Sequence, residues 1–103
     1  MTDNNRLLLE LERKIRGINR EVINPVFPDL GLDDITPVME SVAKSRAAYL
    51  NALFKIVEAA EGGIPPAEHI QKLRALRMTY EEMVAAAQAL ETAIQRDYMD
   101  VKM

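Results

Sequence analysis

Apolar side chains recur in three stretches at alternating steps of three and four residues, the spacing that lays them along one stripe of a helix. In the first stretch, about 3–23, the stripe is Leu8, Leu11, Ile15, Ile18 and Val22. In the second, about 37–61, Met39, Val42, Tyr49, Leu50, Leu53, Ile56, Val57 and Ala60 fill one broad arc, and Glu40, Lys44, Asn51, Lys55 and Glu58 fill the other. The third, about 66–100, carries Leu73, Leu76, Tyr80, Met83, Ala87, Leu90, Ile94 and Val101, with Tyr98 beside the seam. Proline and glycine divide the stretches, first in a loop over 24–36 and again at Gly62-Gly63-Ile64-Pro65-Pro66. The pattern predicts an all-α chain forming a single helical domain over 1–103. Its architecture is expected to be a three-helix antiparallel bundle, or a helical hairpin plus an N-terminal helix.

Local signals place the helix ends. Asp3 can cap the first helix, and Asn24 before Pro25 stops it, because proline has no amide and disfavours a helical residue ahead of it. Thr36 is the expected N-cap of the second helix, with Pro37 at the first helical position. Asp33 and Asp34 just ahead of it would complement the positive end of its dipole. Gly62 and Gly63 supply left-handed backbone to end it, and Pro65-Pro66 delays the third helix. At about 1.5 Å per residue the third helix would be roughly 50 Å long and the second nearer 37 Å. One end of the third therefore overhangs. Its cover is expected from the loop residues Val26, Phe27, Leu30, Leu32 and Ile35, with Phe27 plugging the bundle end, and from a second copy of the chain. The pattern thus predicts a homodimer or a partner helix, with Leu73, Leu76, Tyr80, Met83, Leu90, Ile94 and Tyr98 at the interface. The run Tyr98 to Met103 is expected to fray when free and order on binding.

Composition narrows the chemistry. The chain has 103 residues, 49% of them hydrophobic, and its 13 Lys and Arg are outnumbered by 16 Asp and Glu. A broad positive field for phosphate backbone is missing, so nucleic acid is not an expected partner. With no cysteine and a lone His69, disulfides, thiol nucleophiles and multi-histidine zinc sites are out, and no metal or cofactor is expected. Charge-free runs such as Ala47 to Phe54 fall far short of the roughly 20 apolar residues of a membrane span. The first residues lack the apolar core of a signal peptide. No membrane partner and a cytoplasmic location are the expectation.

Arg46 is the most informative single position, because it falls near the centre of the second helix's apolar arc. A guanidinium there calls for a carboxylate, a ring of carbonyls, a ligand anion, or water at an interface. Glu91 is the natural counterpart by face, yet pairing the helices outward from the glycine turn sets Arg46 beside Tyr80 instead. A structural or snorkelling arginine is the plainer role. Arg13, Arg16 and Arg20 share one side of the first helix, with Arg74 and Arg77 a smaller group on the third; either stripe could help Arg46 hold a dicarboxylate or phosphate, or simply be a solvated face. His69 has no orienting acid beside it, and Ser41 and Ser45 complete no triad, so no catalytic residue is assigned. Asp29, Asp33 and Asp34 lack the ligand order of a calcium loop.

The segment Leu11-Glu12-Arg13-Lys14-Ile15-Arg16-Gly17-Ile18-Asn19 resembles the first-helix pattern of the all-helical chorismate mutases, over about one-fifth of the chain. That family's three-helix chains interlock as dimers. Here Glu12 stands where the pattern has an arginine, Arg16 and Asn19 where it has acids, and Pro25 interrupts what would be the long first helix, so no active-site residues are carried across. Two functions follow as expectations. One is a helical protein–protein interaction module, an adaptor, subunit or chaperone-like protein working through apolar helix faces. The other, implied by the resemblance, is a small enzyme binding an anionic metabolite in a dimeric bundle, where arginines such as Arg46 would stabilise negative charge.

Overall fold

The computed structural model describes residues 2–103. They form α1 (Thr2–Ile23), a 3-10 turn at Asn24–Val26, α2 (Leu32–Ala59) and α3 (Ala67–Gln95). The chain is all-helical as the periodicity predicts; among the described residues the only β-type pairing is an isolated parallel bridge between Gly31 and Lys102. Two compact units result, one of the residues up to Ile35 with Ala89–Met103, the other Thr36–Gln88.

The second unit is a helical hairpin. Its facing sides are read from the half-buried positions: Val42, Ser45, Tyr49, Ala52 and Ile56 on α2, and His69, Leu73, Leu76, Tyr80 and Met83 on α3, with Ala87 buried. Both series step by threes and fours, as antiparallel helices in a coiled-coil-like pair require. The arc expected on α2 is corrected here. Of that arc Leu50, Leu53 and Val57 are exposed, as is Phe54 beside them, while Met39, Val42, Tyr49, Ile56 and Ala60 are half-buried and the small Ser45 and Ala52 lie in the seam. Small side chains thus occupy seam positions while larger apolar neighbours stay outside, and volume contributes to the packed face beside hydrophobicity. The turn is corrected too. Left-handed backbone falls on Glu61 (φ 48°) and Gly62 (φ 83°), not on Gly62 and Gly63. α3 starts where the Pro66 carbonyl accepts the His69 and Ile70 amides at 3.0 and 3.1 Å, a cap that needs no donor from proline.

The first unit is a clasp between the end of α1, the loop and the C-terminal tail. α3 ends at Gln95, short of the expected 100, because Tyr98 N–H donates to Ala93 O at 2.8 Å and Asp97 N–H to Ile94 O at 3.1 Å, with Asp97 left-handed at φ 63°. This double closure ends a helix as glycine usually does. It turns Tyr98 and Met99 back onto Ala93, and these three are buried, with Ile23, Leu30, Leu90 and Ile94 packed around them. Beyond them, Lys102 N–H donates to Leu30 O at 2.9 Å and Leu32 N–H to Lys102 O at 3.1 Å. In the tail Tyr98 and Met99 are buried and the Tyr98, Asp100 and Lys102 amides find partners within the chain, so the order expected of this run on binding is present in the single chain for Tyr98 to Lys102. Phe27 does not plug the end; it is exposed, as are Val26 and Leu32, and Leu30 fills that place.

α2 begins at Leu32 and not at 37. Its cap is Gly31, whose amide donates to the Asp34 carboxylate at 2.8 Å, while Asp34 N–H returns a bond to Gly31 O at 3.0 Å. That reciprocal pair fixes the start, and the helix runs on through Pro37 without the one amide bond proline cannot make. Thr36 is inside the helix and not its cap.

Candidate functional site

Within the first unit the charged candidates are engaged separately. Arg13 pairs with Glu10 one turn away at 3.3 Å, and both are solvated. Arg20 belongs to the clasp: Nη1 donates to the Asp97 carbonyl at 2.8 Å and Nη2 to Asp100 Oδ2 at 2.9 Å, and Asp100 N–H reaches Asn24 Oδ1 at 3.0 Å. Lys102 Nζ meets Asp29 Oδ1 at 2.9 Å. These bonds tie α1, the loop and the tail together. Arg16 lies apart from them, in a cavity of about 310 Å³ lined also by Glu12, Ile15, Arg96 and Tyr98.

Arg46, in the hairpin, is where the turn register puts it. Its Nε–H donates to the Tyr80 hydroxyl at 3.1 Å, its guanidinium carbon is 5.2 Å from the Tyr80 ring centre, and Tyr49 stacks on the same ring at 6.1 Å. The side chain is exposed, so the charge is solvated and needs no buried carboxylate; among the described residues no ion pair joins it to one. On the inner side of the hairpin His69 Nδ1 is buried without a hydrogen-bond partner, beside the apolar wall of Ala52, Ile56 and Leu76. Among the described residues no cluster of three His, Asp or Glu side chains is placed to hold a metal ion, and no helix is long and apolar enough to cross a membrane.

The residues expected at an interface are partly covered within the chain. Leu73, Leu76, Tyr80, Met83, Leu90 and Ile94 are half-buried and Tyr98 is buried. The uncovered apolar surface lies elsewhere. On α1 the whole stripe Leu8, Leu11, Ile15, Ile18 and Val22 is between 43 and 65% exposed, and Leu7 and Leu9 beside it are bare as well. The half-buried side of α1 carries Asn19, Arg20 and Ile23, which at 3.6 residues per turn lies roughly 100° round the helix from the stripe, with Ile15 at the edge between them. On α2 a shorter stripe, Leu50, Leu53, Phe54 and Val57, is also exposed. Sequence reasoning had the α1 stripe in hand and missed its isolation, because spacing identifies an apolar face without saying which side the rest of the chain takes.

Comparison with protein-family models, with curated proteins and with solved structures gives no match. Fold and surface define a class: an all-helical chain whose apolar stripes exceed what its own packing covers.

Proposed function

We propose that this chain is a helical protein–protein interaction module whose activity is association through apolar helix faces. The observation that carries the reading is the uncovered α1 stripe, five large aliphatic side chains in heptad spacing over four turns of helix. Apolar area of that extent left in water is unfavourable by about 25 cal/mol per Å², and single soluble chains seldom expose contiguous patches beyond a few hundred Å². Among the described residues only Ala87, Ala93, Tyr98 and Met99 are buried, so association would supply further core. Stability coupled to association makes the melting temperature depend on protein concentration. A cooperative melt that stays fixed across a hundredfold dilution, from a chain that leaves a hydrophobic dye unbound, would sink the reading.

The anion-binding alternative has one observation in its favour: Arg16 and Arg96 share a cavity, and among the described residues neither is held in an ion pair. Glu12 in the same wall opposes an anion. Thermal stabilisation by phosphate or a dicarboxylate that disappears in Arg96→Gln would move the balance toward it.

A further inference from the structure

We infer that the occupant of the α1 stripe is the α1 stripe of a second copy, running antiparallel. This rests on the association reading above and names its partner. In heptad terms Leu8, Ile15 and Val22 take the first seam position and Leu11 and Ile18 the other, and the positions flanking the first are Lys14 and Glu21. A two-fold axis pairs residue i with j and j with i. Set antiparallel with Ile15 against Ile18 of the second copy, the seam gains four layers, Leu11 against the second copy's Val22 at each end and the two isoleucine layers between. The same register brings Lys14 beside the second copy's Glu21, twice by symmetry, and flanking charges of opposite sign are what set orientation in such pairs. A parallel pairing would instead put Lys14 beside Asn19, with no charge complement. The α2 stripe, four residues within two turns of helix, is too short to match α1 layer for layer.

All of the α1 residues concerned are exposed in the single chain; Ile15, the least exposed of them at 43%, also borders the cavity it shares with Arg96 and Tyr98. The seam stands about a quarter turn from the clasp side, which leaves Arg20 with Asp97 and Asp100 undisturbed.

The chain has no cysteine, and that makes orientation directly readable. Leu11→Cys and Val22→Cys chains, mixed and oxidised, are expected to give a disulfide-linked mixed dimer. Leu11→Cys alone is expected to give none, because two copies of position 11 would lie roughly 16 Å apart along the axis, beyond the reach of a disulfide. Lys14→Glu and Glu21→Lys should each weaken dimerisation about tenfold, and the double variant should recover most of it. Self-linking of Leu11→Cys, or a dimer indifferent to both charge reversals, overturns the antiparallel α1 pairing while the association reading stands on another surface such as the α2 stripe. A single-chain mass at high micromolar concentration also overturns it, since the occupant is then not a second copy. A melt independent of concentration together with no dye binding overturns both.

Discussion

α1 and α3 carry the same alternation of three and four along their apolar seams and meet opposite fates. On α3, Leu73, Leu76, Tyr80 and Met83 are half-buried and Ala87 is buried; on α1, Leu8, Leu11, Ile15, Ile18 and Val22 are all exposed. The cause is connectivity. α3 follows α2 across a short turn built on Glu61 and Gly62, so closing the hairpin loses little chain entropy and its seam finds a partner at once. α1 is fastened through Arg20, Asn24 and Ile23, all at its C-terminal end, and that fastening faces a different side from the stripe. A heptad therefore reports a face that needs cover, and the attachment points decide whether the cover comes from the same chain.

The widest gap between the two seams should open under a buried charge. Leu76→Asp places a carboxylate in the hairpin seam and is expected to cost about 3 kcal/mol or more, seen as loss of helicity by circular dichroism with no dependence on α1. Ile15→Asp, on the bare seam, should leave the isolated chain's helicity intact and abolish association in sedimentation. Equal damage to helicity from both would erase the distinction drawn between them.

A smaller effect tests the clasp. Tyr98 is the largest of the three side chains buried there, and Tyr98→Ala is expected to destabilise by about 3 kcal/mol in urea titration, in the range of large-to-small core changes. Arg20→Ala removes one bond to a carbonyl and one to a carboxylate at a partly solvated site, for about 1 kcal/mol. Were the order reversed, the polar ties rather than the Tyr98 cluster would be holding the tail.

Much of this was legible in the residues. The three helices, the proline and glycine breaks and the meeting of Arg46 with Tyr80 follow from spacing and turn register. The misplaced boundaries share a cause: the residues that set them are not the strongest punctuators nearby. Gly31 with Asp34 starts α2 although Thr36-Pro37 is the louder signal, and Asp97 ends α3 in a conformation for which glycine is the usual cue. The tail was illegible for a related reason, since Lys102 pairs with Leu30 and Leu32 through backbone groups that every sequence possesses. On α2, Ser45 and Ala52 entered the seam through size, which a hydrophobicity pattern does not register.

Arg46 makes the finest test of the hairpin, because it combines a hydrogen bond to the Tyr80 hydroxyl with a cation placed over the same ring. Solvent reaches the guanidinium, so the ring contact is worth about 0.5–1 kcal/mol, and leucine can pack along the aliphatic path of the arginine stem. Arg46→Leu is accordingly expected to shift stability by less than about 1 kcal/mol, and Tyr80→Phe, which keeps the ring and removes only the acceptor, by less still. Their double-mutant cycle should return a coupling of about 0.5 kcal/mol, the signature of two residues in contact. Zero coupling would mean that the pair merely shares space. A loss beyond about 2 kcal/mol for Arg46→Leu alone would instead give the arginine a partner outside Tyr80, and the hairpin seam would then owe part of its closure to a charge, which the exposed α1 seam has no counterpart for.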